Sequence, residues 1–79
     1  MQRDRFQILM EVVMICEVPQ KKTPLMGKAN LNADYIDNYV QIALKNGFIT
    51  EKNGIYAITD VGREFVKQIK VLEESVQFA

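Results

Sequence analysis

The sequence predicts a small, mainly α-helical domain of the α+β class that contains one two-stranded β-hairpin. Three observations lead to this prediction. Apolar residues recur every three or four positions in several segments, which is the helical period. Asn53-Gly54, a strong hairpin signal, separates two short runs rich in β-branched and aromatic residues. With 79 residues, 48% of them hydrophobic and 25% charged, the chain has the length and composition of one globular domain.

The first segment, residues 4–17, predicts a helix that is buried on most sides. Its apolar residues recur at spacings of three and four, at Phe6, Leu9, Val13 and Cys16. Pro19 ends the helix. We expect Cys16 to be a small core residue, because it is the only cysteine and no cationic neighbour activates it.

Two helices joined by a tight turn are predicted next. Thr23-Pro24 reads as an N-cap followed by proline at the first helical position of a short helix. A turn at residues 30–32 follows, and Asn32 caps a longer helix over residues 33–46. Gly47 suits the left-handed end of that helix. Its inner face is predicted to contain Ile36, Tyr39, Val40, Ala43 and Leu44.

The second half of the chain predicts a hairpin and a closing helix. Residues 48–52 and 55–58 form the two strands around the turn at Asn53-Gly54. Thr59 caps a helix that begins near Asp60 and reaches about residue 77. Apolar residues follow one side of it, at Val61, Phe65, Ile69, Leu72 and Val76.

This order of elements is that of a winged helix-turn-helix domain, in which the hairpin is the wing. The two helices around a tight turn pack across each other, and the second projects from the domain. In DNA-binding members of this architecture, the second helix enters the major groove. We therefore expect residues 33–46 to be a recognition helix and the wing, residues 50–55, to contact the adjacent backbone.

The chain resembles the small winged-helix regulators common in archaea and their viruses. The resemblance covers most of the sequence and rests on KTPLMGKANLN at residues 22–32, Tyr39-Val40, GFI at residues 47–49 and YAITDVGREF at residues 56–65. It implies a transcription regulator that binds double-stranded DNA. Members of that family usually carry Lys or Arg at several outward positions of the recognition helix, where this chain has Ala33, Asp34, Tyr35, Asp37 and Asn38.

The candidate DNA-binding residues surround the predicted recognition helix and wing. Asn and Gln read adenine through two hydrogen bonds, so Asn38 and Gln41 are the expected base contacts. The expected phosphate contacts are Lys21, Lys22, Lys28, Lys45 and Lys52, although a domain of this composition also scatters lysines over its surface. The remaining candidates are Thr23, Asn32, Asp34, Tyr35 and Asn53; for Thr23 and Asn32 a purely structural role as caps is the simpler interpretation.

The closing helix predicts a homodimer. Its apolar residues alternate in spacing between four and three, as in a coiled coil. A helix over residues 60–77 spans roughly 27 Å, which is more than the rest of the domain covers. We expect residues 1–68 to form the domain and residues 69–79 a dimerisation segment, or else the helix to fold back on its own subunit. The predicted interface comprises Phe65, Ile69, Leu72, Val76 and Phe78.

The composition argues against several other functions. The chain has no histidine, one cysteine and Ser75 as its only serine, so it predicts no metal site, no cofactor and no enzymatic activity. No run approaches the roughly 18 apolar residues of a membrane span, so we expect a cytoplasmic protein without a membrane partner. No feature of the sequence indicates a small-molecule effector. A net charge of zero, with Asp34 and Asp37 on the recognition helix, leaves an alternative: a winged-helix module that binds protein.

Overall fold

The computed structural model describes residues 4–75. They form four helices and a small antiparallel sheet, which confirms the predicted fold class. The predictions for Val76 and Phe78 lie outside these residues. In chain order the elements are α1 (Arg5–Ile15), β1 (Gln20–Lys21), α2 (Lys22–Ala29), α3 (Ala33–Lys45), β2 (Ile49–Lys52), β3 (Ile55–Ile58) and α4 (Asp60–Ser75).

Helix α1 is the centre of the domain and packs against α2, α3 and α4. The carboxylate of Asp4 caps it by accepting a hydrogen bond of 2.8 Å from the Gln7 amide. The helix ends at Ile15, earlier than predicted. The expectation that Phe6 is buried is wrong: its side chain is 61% exposed, because the first turn of α1 lies at the rim of the core beside α3.

The core forms where the inner faces of the helices meet the sheet. Cys16 is fully buried there, as predicted, and Tyr39 and Ala43 of α3 are buried as well. The largest fully buried side chains come from α1, α2, α3, β2 and the residue after α1: Val12, Val13, Leu25, Ile36, Ile49 and Cys16.

The start of α2 differs from its prediction. The helix begins at Lys22, its cap position is Lys21, and no side chain caps it, so the expectation of a Thr23 cap is wrong. Lys21 is paired in β1, and this backbone pairing fixes the start of the helix before Thr23. Pro24 remains within the first turn, where its missing amide donor leaves no helical bond unmade.

The turn between α2 and α3 closes as the sequence predicts. Asn30 has left-handed backbone angles, with φ 56° and ψ 47°, and the Leu31 amide donates to the Met26 carbonyl at 3.2 Å. The Asn32 side chain then caps α3 by accepting from the Tyr35 amide at 3.0 Å. The helix-turn-helix is therefore held by local hydrogen bonds on both sides of the turn.

The sheet has three strands in the order β1-β3-β2, one more than the sequence predicts. Residues Gln20 and Lys21 pair with the outer edge of β3. Two residues are too short to show an alternating pattern, so the sequence gives no signal for this strand. The hairpin is confirmed: Asn53 and Gly54 have φ angles of 55° and 79°, as a type I′ turn requires.

Helix α4 closes the domain and packs against α1. The Thr59 hydroxyl caps it by accepting from the Gly62 amide at 2.9 Å, as predicted. The ring of Phe65 stacks on Phe48 with 4.2 Å between centroids. Among residues 4–75, no helix is long and apolar enough to cross a membrane.

Candidate nucleic-acid interface

Two lysines lie in one row across the outer face of the sheet. Lys21 of β1 and Lys52 of β2 both pair with Ile55 of the central strand. Directly paired residues project from the same face of an antiparallel sheet. Gln20 and Ile49 are buried on the opposite face, so the row points outwards.

The two lysines of this row are two strand spacings apart. Strands lie about 4.8 Å apart, so the backbones at Lys21 and Lys52 are roughly 10 Å apart. Both side chains are exposed, and neither forms an ion pair within the described part of the chain. We call Lys21, Ile55 and Lys52 the wing row.

The outward face of α3 carries three of the predicted contacts together. Asn38, Gln41 and Lys45 are exposed and border one shallow depression with the apolar side chains of Ile42 and Leu44. These residues recur at spacings of three and four, so the helix brings them onto one side. Amide groups able to read bases and a cation able to meet phosphate therefore share one surface.

The amino-terminal turns of α3 are exposed as well. Asp34 lies in the first turn, where its charge favours the helix dipole. The Tyr35 side chain is 59% exposed, as predicted. Neither side chain forms an ion pair with another residue in the range 4–75.

Lys22 is the one predicted phosphate contact that already holds a carboxylate. Its ammonium group forms an ion pair with Asp37 of α3. The hydrogen bond that Lys22 donates to Asp37 raises the pKa of Lys22. Desolvation lowers this pKa by less, and the electrostatic interactions with Asp37 and Tyr56 raise it further. The pair joins the two helices of the helix-turn-helix, and both side chains remain partly exposed to solvent.

Thr23 and Asn32 border a second depression, between α2 and the turn. The side chain of Asn32 is occupied by its cap of α3, which supports the structural interpretation of that residue. Thr23 makes no cap, so its hydroxyl is available to a ligand. The sequence interpretation assigned both residues the same role, and the structure separates them.

Lys28 does not share a surface with the α3 residues. Its ammonium donates to the Gln20 side chain at 3.2 Å, and it borders a cleft with Glu11 and Met14 of α1. Lys28 therefore lies apart from the other predicted phosphate contacts, on the side of α2 that faces α1.

The residues predicted to form the dimer interface differ in their exposure along α4. Phe65 is half-buried in its own domain against Phe48, so we assign it to the core and not to the interface. Ile69 is half-buried too, whereas Leu72 is 59% exposed and its neighbour Val71 54% exposed. Two adjacent exposed apolar side chains thus lie near the end of the helix, apart from Val61 in its first turn.

Sequence reasoning missed an apolar groove between α1 and α3. Arg5, Phe6, Leu9, Tyr39 and Ile42 line it, together with Asn38. Ile42 is 37% exposed. The helical periods assigned Phe6 to the core, so no pattern in the sequence distinguishes this groove from the interior.

These observations define the class. A first helix, two helices joined by a tight turn, a wing and a long closing helix form a winged helix-turn-helix domain. The chain belongs to the winged helix-turn-helix family, whose model matches residues 2–77. No three histidine, cysteine, aspartate or glutamate side chains come together as a metal site in the range 4–75.

Two uncharacterized proteins of the archaeon Methanocaldococcus jannaschii are similar in sequence. One is 32% identical over 69 residues, which cover 86% of this chain and 33% of that protein. The other is 29% identical over 73 residues, or 91% of this chain and 75% of that protein. The chain thus spans about a third of the first relative's length. The archaeal resemblance stated from the motifs is confirmed.

A solved structure has the same fold. Sso10a-2, a DNA-binding protein from Sulfolobus solfataricus, superposes with a TM-score of 0.79 at 24% sequence identity. The match covers 91% of this chain and 80% of that chain.

Proposed function

We propose that this chain is the DNA-binding domain of a transcription regulator, with α3 in the major groove and the wing on the adjacent backbone. The wing row carries the proposal. It presents Lys21 and Lys52 from one face of the sheet, without ion pairs to the residues described and about two strand spacings apart. Lysines that meet phosphates supply the sequence-independent part of DNA affinity.

The α3 surface adds the sequence-dependent part. Asn38 and Gln41 are exposed on one side of the helix, where amides can bond adenine N6 and N7. Lys45, at the end of the same side, meets phosphate. A fold shared with a protein described as DNA-binding is consistent with this function. A regulator of this kind acts where an archaeal chromosome lies, in the cytoplasm.

We also propose that the regulator acts as a homodimer. Val71 and Leu72 expose apolar surface near the end of α4, and burial of that surface against a second copy is favourable. Two recognition helices would then visit successive major grooves, which requires a pseudo-palindromic site with half-sites about one helical turn apart.

Titration of a random-sequence duplex tests the proposed DNA binding. We expect measurable affinity at about 50 mM salt that falls steeply as salt rises. The double variant Lys21→Ala with Lys52→Ala should lower the slope of log K against log salt by about 2, since each lost phosphate contact removes about 0.9. Lys67→Ala with Lys70→Ala on α4 is the matched control for charge. Absence of binding at low salt would contradict the proposal.

A second candidate function, protein binding, is favoured by the apolar groove of Phe6, Tyr39 and Ile42. Exposed apolar surface beside a recognition helix is typical of protein contacts as well. The same titration discriminates between the two functions. If no duplex binds at low salt while Phe6→Ser abolishes capture of a partner protein, the protein-binding module is the function.

A further inference from the structure

The ion pair between Lys22 and Asp37 joins a carboxylate of the recognition helix to a lysine that is predicted to contact DNA phosphate. Lys22 is the first residue of α2, and Asp37 lies in the second turn of α3. The two side chains are 43% and 56% exposed, so a phosphate oxygen can reach the ammonium group from solvent. The ammonium group of Lys22 cannot form a full ion pair with the Asp37 carboxylate and with a phosphate at the same time.

Asp37 differs from Asp34, which lies one turn earlier in α3, in forming an ion pair with another described residue. Both aspartates are exposed in the first half of α3 and carry the same charge, but only Asp37 holds a cation among the residues described. Lys21, Lys45 and Lys52 form no ion pair with any residue of the range 4–75. Among these residues, Lys22 is therefore held by an ion pair, whereas Lys21, Lys45 and Lys52 are not.

We propose that Asp37 is a specificity-determining residue. It competes with DNA phosphate for Lys22 and releases Lys22 only on the correct base sequence. This rests on the proposed DNA binding. To reach a phosphate, Lys22 must leave Asp37, which would leave the carboxylate without a partner near the polyanion. On random DNA the pair therefore persists. A correctly placed cytosine donates its N4 amino group to that carboxylate and replaces the lost bond.

The consequence differs between DNA sequences. A non-specific complex depends on phosphate contacts alone, so it keeps the pair and lacks the phosphate contact of Lys22. The preferred site exchanges one ion pair for two contacts, Lys22 with phosphate and Asp37 with a base. Asp37 thus widens the gap between the two affinities by weakening the non-specific one.

The test is a double-mutant cycle on the full chain with a random-sequence duplex. Asp37→Asn should raise this affinity by roughly two- to fivefold, the range expected for release of an exposed ion pair. The slope of log K against log salt should steepen by about 0.9 for the added phosphate contact. Asp34→Asn removes the same charge from the same helix without releasing a lysine, so it should produce a smaller gain and no change in slope.

The Lys22→Ala background separates competition from simple charge repulsion. There, Asp37→Asn should give no more gain than Asp34→Asn. Equal gains from the two aspartate variants in the native background, or a full Asp37→Asn gain without Lys22, would overturn the inference while DNA binding stands. Binding by none of the variants at about 50 mM salt would overturn the proposed function and the inference together.

The site preferred in a selection from random DNA provides the second readout. Asp37→Asn should lower the ratio of preferred-site to random-duplex affinity, whereas Asp34→Asn should leave that ratio nearer the native value. An unchanged ratio in Asp37→Asn would overturn the role in specificity.

Discussion

Gly62 lies so close to Phe48 that no side chain fits between them. A β-carbon added at Gly62 would lie 2.0 Å from the Phe48 carbonyl oxygen and 2.9 Å from the Ile58 side chain. That oxygen also accepts a hydrogen bond of 3.0 Å from the Thr59 amide. The first turn of α4 therefore contacts the backbone that enters the sheet, and this contact fixes the direction in which α4 leaves the domain.

Gly62→Ala should destabilise the protein by about 3 kcal/mol, because the obstructing atom is backbone and the helix must move away. Gly27→Ala is the matched control. A β-carbon there meets nothing within 4 Å, and alanine in a helix interior is more stable than glycine by about 1 kcal/mol. Chemical denaturation of both variants measures the difference. A Gly62→Ala protein as stable as the native one would contradict the close packing.

Leu72→Glu should convert the proposed dimer to a monomer, because it introduces a charge into the exposed apolar end of α4. Light scattering coupled to size exclusion measures the mass. Val61→Glu is the control: Val61 is also an exposed apolar residue of α4, at 56%, but lies in its first turn. If the native protein is already monomeric at the concentrations used to measure DNA binding, the proposed homodimer with two recognition helices in successive major grooves is contradicted.

Asn38→Ala and Gln41→Ala should each reduce binding to the preferred site by about 1–3 kcal/mol, the usual value of a good base contact. Affinity for random DNA and the salt slope should hardly change, since neither side chain is charged. Competition binding with preferred and random duplexes measures both quantities. Equal losses on the two DNAs would show that these residues do not read bases.

Cys16 should make stability depend on alkaline pH. Burial raises the pKa of the thiol from 9.0 to about 11. The folded protein thus retains a proton that the unfolded chain loses above pH 9, so the stabilisation is complete below pH 9 and declines as pH rises to 11. The decline should be about 2–3 kcal/mol.

Denaturation at a series of pH values checks this dependence. Cys16→Ala should lower stability at neutral pH through the cavity it leaves. The variant should also lack the part of the alkaline slope due to the thiol, although lysines and tyrosines still titrate in both proteins. Identical slopes for native and variant proteins would contradict the assigned pKa. A thiol reagent at pH 8 should react with the native protein only as fast as it unfolds.

Several features of the interface follow from the sequence alone. The exposed amides of α3 and the turn of the wing were predicted where the structure places them, because a helical period and a type I′ turn are encoded in neighbouring residues. Asn38 and Gln41 are examples. The same local reasoning gave Phe6 a buried position, since a period shows which residues share a face and not where the neighbouring helix ends.

What the sequence determined is the order of the four helices and the hairpin, their main caps at Asn32 and Thr59, and the family, since all of these depend on interactions within a few residues along the chain. What only the tertiary structure decided is how distant segments meet: β1 on β3, Lys21 in line with Lys52, Lys22 on Asp37 and Phe65 on Phe48. Such contacts depend on the packing of the whole core, which no local pattern contains.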